Sequence, residues 1–247
     1  WCPENDVHMA VIGGAVASEY GVTREMQDEW SVRSQKLWAE GENQGKFDDE
    51  LFAVEVPGKK GAVTKVTKDE APRPETTMEG LSKLPPLFVK DGTVTAGNAP
   101  GTNDGASAIV LMSREKAEEL GAPILAVIKG YAQASRESRY IATVPGLAIR
   151  NLMEKNDLTV DDFDLMEINE AFAAVPLVSC LGILGMTPES MDAKVNVNGG
   201  AVAVGHPIGA TGARILMTLI YELRRSGKKS GVAAICSGMA QGDAVWV

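Results

Sequence analysis

The sequence predicts an α/β fold, a largely parallel or mixed sheet layered with helices, and three observations carry that prediction. From about residue 90 onward, strand-length apolar runs alternate with helix-length segments up to the last residue. The turns between them are rich in glycine and other small residues, as the strand-to-helix turns of layered sheets are. The 247 residues, 45% of them hydrophobic, suffice for one large or two small cores.

Each element has its own reason. Residues 13–40 read as a helical region in which Thr23 supplies an N-cap and Met26, Trp30, Leu37 and Trp38 an apolar stripe. From residue 41 to 87 the composition shifts to Gly, Pro, Lys and Asp, with short extended runs such as LFAVEV. APRPETTMEGLSKLPPLF is too rich in proline for a regular element, so this stretch reads as an excursion over a surface. TVTAGNAPGTNDGASAIVLMS predicts a Gly/Asn-rich turn, a small-residue helix start and then AIVLM as a buried strand. REKAEELG is a short helix closed by Gly121, and PILAVIKGYAQAS is a strand. PGLAIRNLMEKNDL predicts a helix, DFDLMEI a strand and AFAAVPLVSCLGIL a small-residue helix. TGARILMTLIYELRRSG is a further helix, followed by the strands GVAAICS and DAVWV. No short-period repeat is present.

Composition narrows the function. A net charge of −9 with no offsetting basic block argues against nucleic acid as the partner. Lys59, Lys60, Lys65 and Lys68 lie in a polar stretch and read as a solvated surface. Three cysteines, an odd count without metal-ligand spacing, suggest neither a disulfide framework nor a metal site. Reduced thiols fit a cytoplasmic setting. No apolar run is long enough to cross a membrane, and WCPENDVHMA has neither the basic nor the apolar region of a signal peptide.

Three turns carry chemistry. In INEAF, Asn169 and Glu170 sit at a strand-to-helix junction, where the asparagine serves as an N-cap or holds a water or substrate oxygen. In NVNGGAVAVGHPIGATGAR, glycine-rich backbone surrounds His206, a single acid–base group on the approach to a helix. In ICSGMAQGDA, Cys236 ends an apolar strand. There it is either a buried structural thiol or, beside backbone N–H groups, a thiol lowered in pKa to act as acid or base. A thiolate that removes a proton α to a carbonyl, with N–H groups and a histidine stabilising the oxyanion, suits thioester carbon chemistry.

NEAFA, GGAVAVGHPIGATGAR and CSGMAQG, in this order and at these separations, closely resemble the C-terminal signature motifs of thiolases. Upstream, HMAVIGGAVASEYGVTREMQDEW and VTAGNAPGTNDGASAIVLMS extend the resemblance over essentially the whole chain. It implies a thiolase-like fold of mixed five-stranded sheets layered with helices. On that resemblance His206 activates a nucleophilic cysteine and binds the thioester oxygen, and Asn169 orients a water in the same oxyanion hole. Cys236 moves the α-proton, and the N–H of Gly238 belongs to a second oxyanion hole. His8 and Met9 line the pantetheine and acyl pocket, with Ala99, Gly101, Ala171 and Phe172 as weaker carry-overs. No cofactor is implied, since the coenzyme A thioester is the substrate.

The departures from the family pattern set further expectations. The family's nucleophile lies in a VCxSG-like context upstream of the HM pair; Cys2 stands too close to His8 to match it, and Cys180 reads as a packed thiol. The resemblance therefore divides the chain into an excursion over the active site (1–90), the end of an incomplete N-terminal half (91–121) and a C-terminal domain (122–247). AIVLM is then expected to present an unpaired edge and an apolar face. A further polypeptide is expected to supply the missing half and the nucleophile, within a dimer or tetramer of the full unit. Pro100 stands where the family has the serine of NASG, and Met239 and Ala240 stand in a run the family fills with glycines, which narrows the acyl site. The leading expectation is thiolase-type acyl transfer. Its rivals are a non-catalytic acyl-CoA-binding or scaffold subunit and a related condensing enzyme with a branched or aromatic substrate.

Overall fold

The computed structural model describes residues 1–247. The first helical region is two helices, α1 (Met9–Glu19) and α2 (Arg24–Asn43), separated by a break at residues 20–23. The Thr23 hydroxyl accepts from the Met26 N–H at 3.2 Å, so the expected cap starts the second helix and not a continuous one. A hairpin follows, β1 (Val54–Pro57) paired antiparallel with β2 (Val63–Val66), with every residue exposed. The proline-rich stretch contains one short helix that its composition did not predict, α3 (Met78–Ser82). Thr77 caps it through the Gly80 N–H, in the proline-free stretch between Pro74 and Pro85.

Next come α4 (Arg114–Leu120), closed by Gly121 at φ +61°, then β3 (Gly130–Ser135) and α5 (Val144–Asn156). β4 (Leu165–Ile168) leads to α6 (Ala174–Leu177), which continues as a π-helical turn over Val178–Ile183. α7 (Pro188–Lys194), α8 (Ala201–Val204) and α9 (Ile208–Ser226) precede β5 (Gly231–Ser237) and β6 (Gln241–Trp246).

The central sheet runs β3-β6-β5-β4, and β4/β5 is its single parallel pair. Both faces of β4 are buried, Glu167 included, with Leu165 packed on one side of the sheet and Met166 and Ile168 on the other. On one side α5 contributes Ile149 and Leu152 to a core of 33 buried residues, together with Phe163, Met166 and Ile168. On the other side Ile215, Leu219 and Leu223 of α9, spaced four residues apart, pack on Leu165, Ala233 and Val247. Burying each such side chain stabilises the fold by about 1.5–3 kcal/mol, so this one helical stripe anchors α9 to the sheet.

The family pattern of five-stranded sheets meets four strands here, with a substitute for a fifth. Met166 forms a parallel bridge with Val195, and the Asn196 side chain then stands in for a strand residue. Its Oδ1 accepts from the Ile168 N–H and its Nδ2 donates to the Ile168 carbonyl, both at 2.8 Å.

Three predicted elements do not form. Residues 101–113 hold neither the small-residue helix start nor the AIVLM strand, and residues 123–129 are not part of a strand, which begins only at Gly130. Apolar content favours a strand, but a strand exists only where a neighbour accepts its hydrogen bonds, and no element of this chain lies alongside. The side chains stand in solvent accordingly: Val110 is 80% and Leu111 71% exposed, and Ile124, Leu125, Val127 and Ile128 are exposed as well. The apolar residues of AIVLM are thus mostly exposed, but with no strand formed there is no strand edge of the expected kind.

Candidate active site

The motifs meet where the parallel pair ends. β4 finishes at Ile168, opposite Ala234 of β5, and the Asn169 N–H donates to the Ala234 carbonyl at 2.9 Å. β5 continues two residues further to Cys236. Asn169 and Cys236 therefore emerge from the carboxyl ends of adjacent parallel strands, offset by one residue, roughly 3.3 Å of strand rise. The glycine loop brings His206 to the same end, and Asn169 Nδ2 lies 3.4 Å from His206 Nε2.

Asn169 is held in place by its neighbour. Glu170 is fully buried, and its two carboxylate oxygens collect four donors. Oε1 accepts from Trp30 Nε1 at 2.8 Å and from Asn196 Nδ2 at 3.1 Å; Oε2 accepts from Ser34 Oγ at 2.8 Å and from the Val202 N–H at 2.9 Å. Helix α2, the Asn196 turn and the start of α8 thus converge on one side chain next to Asn169. The sequence reading weighed the asparagine and passed over this glutamate. Its donors lie up to 140 residues away, and only the fold reveals them.

The glycine loop has a similar logic. Gly205 adopts φ +100°, a region L side chains rarely enter, and a Cβ there would strike the side chain of Asn103. The NDGAS segment accordingly runs against the loop, and Ser107 Oγ donates to the Ala210 carbonyl at 2.6 Å. His206 Nδ1 lies 2.8 Å from Thr211 Oγ1 in the first turn of α9, so Thr211 is another site residue that composition did not mark.

The remaining expected residues have their own local settings. His8 caps α1, with Nδ1 accepting from the Ala10 N–H at 3.2 Å, and its ring stacks on Phe88 at 3.8 Å between centroids. Met9 packs on the main core beside it. Phe172 packs against Gly13 of α1, and Ala171 lines the same core margin. Ala99 and Gly101 lie on the turn after Asn98, whose carbonyl accepts from the Ala173 N–H at 2.9 Å and ties that turn to the NEAF helix. Gly238 is exposed in the tight turn between β5 and β6. In that turn Met239 and Ala240 take φ +62° and +50°, conformations the family's glycines would adopt without strain.

Electrostatics set the protonation states. Burial, with Arg214 adding to it, lowers the His206 pKa and keeps the imidazole neutral at physiological pH. The Cys236 thiol follows the first of its two readings, the buried one: burial pushes it up to about 12, against a smaller lowering by a backbone N–H. A strand-end thiol gains from exposed N–H groups only where it stays near water, and this one does not. Burial also raises Cys180, which packs in the π-helical turn as expected. Glu167 on β4 is pushed up to about 8 by burial, despite Arg214 Nη1 at 3.8 Å.

A cavity of about 560 Å³ opens on the other side of the glycine loop, lined by residues that include Glu50, Asn103, Pro207, Thr211 and Arg214 but not Asn169, His206 or Cys236. Buried Glu50 Oε1, Asn103 Oδ1 and Arg214 Nη1 in its walls have no hydrogen-bond partner, and neither does Asn169 Oδ1 in the site itself.

Comparison with known proteins accords with this geometry. The family model described as "Thiolase, C-terminal domain" matches residues 122–247, and "Thiolase, N-terminal domain" matches residues 1–115. The chain is 47% identical to an acetyl-CoA acetyltransferase of Chromobacterium violaceum over 243 residues, covering 98% of this chain and 61% of that protein. It is 45% identical to the peroxisomal 3-ketoacyl-CoA thiolase of Homo sapiens over 244 residues, covering 96% and 56%. The crystal structure of the Bacillus anthracis acetyl-CoA acetyltransferase superimposes with a TM-score of 0.93 at 42% identity, over 99% of this chain and 61% of the other. That of human mitochondrial 3-ketoacyl-CoA thiolase gives 0.91 at 39% identity, over 98% and 60%. The chain spans about three-fifths of the length of the curated relatives it matches. No helix is long and apolar enough to cross a membrane. The signature turns, the sheet that gathers them and both family models agree: the chain belongs to the thiolase family.

Proposed function

We propose that this chain works in thiolase-type acyl transfer, the Claisen condensation of acyl-CoA or the thiolytic cleavage of 3-ketoacyl-CoA. The observation that carries the reading is the meeting of Asn169 and His206 at 3.4 Å, at the strand ends where Cys236 also emerges. The names of the relatives, acetyl-CoA acetyltransferase and 3-ketoacyl-CoA thiolase, support the substrate class.

In the cleavage direction a nucleophilic thiolate attacks the 3-keto carbon, and His206 takes the thiol proton. The Cα–Cβ bond breaks, leaving an acyl-enzyme and the carbanion of acetyl-CoA, which takes its proton from Cys236. A thiol held neutral by burial suits that delivery. In condensation the same sulfur must first lose its proton, and the Gly238 N–H shares the enolate charge. The unpartnered Asn169 Oδ1 supports the role of positioning a water in the first oxyanion hole. Coenzyme A is substrate, and the reaction needs no resident cofactor.

The nucleophile, in this reading, comes from a further polypeptide segment that covers the apolar residues Val110, Leu111, Ile124, Leu125, Val127 and Ile128. Residues 1–90 then form the excursion, 91–121 the end of the first half and 122–247 the second domain, in a cytoplasmic dimer or tetramer.

Denaturing intact-mass spectrometry of the purified assembly, before and after acetoacetyl-CoA, tests the proposal. A new acetyl adduct on any polypeptide of the assembly is expected. Absence of an adduct, with tight coenzyme A binding, would refute acyl transfer and leave the binding-subunit reading.

A further inference from the structure

The geometry points to Thr211 as the residue that fixes the tautomer of His206, holding the ring proton on Nδ1 and leaving Nε2 bare toward Asn169. Thr211 is fully buried in the first turn of α9, and its hydroxyl has one proton to give. Its Oγ1 lies 2.9 Å from the Pro207 carbonyl, one helical turn back, in the arrangement by which helical threonines commonly dispose of that proton. The carbonyl also takes the backbone N–H groups of Ala210 and Thr211, so it marks the donor-rich end of the helix. With its proton spent there, Oγ1 meets His206 Nδ1 at 2.8 Å only as an acceptor, and Nδ1 must carry hydrogen.

The other side of the ring agrees. Asn169 presents its amide nitrogen, a donor without lone-pair capacity, 3.4 Å from Nε2. A second N–H at Nε2 would set two donors against each other. The opposite tautomer would require both the Thr211 hydroxyl and the Asn169 amide to turn over. Burial and Arg214 keep the ring uncharged, so the choice of tautomer, and not only of charge, decides what His206 offers.

The consequence deepens the proposed function and rests on it for its use. A bare Nε2 can take a thiol proton, whereas an Nε2 that already holds hydrogen cannot. Thr211 is thus a positioning residue: it does not reach the reacting atoms but sets which ring nitrogen is the base. His8 is the counterexample within the same chain, since its Nδ1 accepts from the Ala10 N–H and its proton sits on Nε2. The two histidines of the sequence hold opposite tautomers.

Long-range proton–nitrogen correlation NMR on the purified assembly, labelled with ¹⁵N-histidine and held at about pH 8 where both rings are neutral, reads this directly. His8→Gln separates the two ring signals. His206 is expected to show protonated Nδ1 in the wild type and in Thr211→Ser. In Thr211→Val the Nε2-protonated form should rise roughly tenfold, the ratio one net hydrogen bond supports. Protonated Nε2 as the dominant wild-type form overturns the assignment, as does a folded Thr211→Val with an unchanged ratio. If the valine variant does not fold, the wild-type and serine spectra decide. The readout needs no turnover: a failed acyl adduct sinks the proposed function and leaves the tautomer standing, and the reverse holds equally.

Discussion

Glu170→Gln exchanges a carboxylate for an amide of the same shape, and the structure specifies what that costs. The four groups around Glu170 are all donors in this network, two at each oxygen. The amide keeps one oxygen and turns the other into an NH₂ group, so two hydrogen bonds are lost and donors face donors. Whichever way the amide lies, either Trp30 and Asn196 or Ser34 and Val202 lose their acceptor. Hydrogen bonds to a charged group are worth about 1.5–3 kcal/mol each, which gives a loss of roughly 3–6 kcal/mol. Against a total stability of about 5–15 kcal/mol, the variant should be severely weakened or unfolded at ordinary temperature. Urea unfolding followed by tryptophan fluorescence is the assay, because Trp30 is itself one of the donors and reports on this site. The midpoint should fall strongly with little change in slope. A loss below about 1 kcal/mol would refute the account, since it would mean that water or a rearranged side chain satisfies the stranded donors.

Other outcomes follow from the same geometry. Cys236→Ala should abolish condensation in the assembly while an acetyl adduct still forms on the nucleophile, as intact mass and a coupled turnover assay would read; normal condensation would contradict the assignment. His206→Ala should slow adduct formation itself, whereas adduct formation at the wild-type rate would remove it from the acylation step. Gly205→Ala forces a Cβ into φ +100° and into Asn103, and should cost about 1–3 kcal/mol of stability in thermal melts; an unchanged melt would show that the loop relaxes freely. Glu167 has a folded pKa of about 8 against 4.5 unfolded, so its contribution is fully present below about pH 4.5 and is lost as pH rises toward 8. Unfolding midpoints should therefore decline across that window through this group, and Glu167→Gln should flatten the decline.

Local signals were read well wherever the chain supplies its own partners. The Thr23 and Gly121 caps, helix α9 and the strands β4, β5 and β6 all rest on neighbours within the sequence. The Asn169–His206 meeting was expected from the motifs, although His206 stands in the loop between α8 and α9 and not in a strand-to-helix turn. The two expected strands that do not form have one cause in common. AIVLM and PILAVI carry strand composition, but composition does not create a partner for their backbone groups. Glu170 and Thr211 look ordinary in sequence because their roles lie in which atoms face them. Asn196 went unweighed for the same reason: a side chain standing in for a strand leaves no period to read. Of the two readings open for Cys236, burial outweighs one helpful N–H and favours the packed thiol.

Helix α2 is fastened on both flanks. Asp28 accepts from Asn98 and from Arg24, whose guanidinium also reaches the carbonyls of Leu81 and Leu84. Arg33 binds Asp192 and the carbonyls of Val195 and Asn196, while Trp30 and Ser34 close on Glu170. A segment held in this way is a wall and not a door. Swinging it outward would break the very contacts that orient Asn169, so an open form would also be a disarmed one. Any motion that opens this end of the sheet therefore has to come from a segment other than α2.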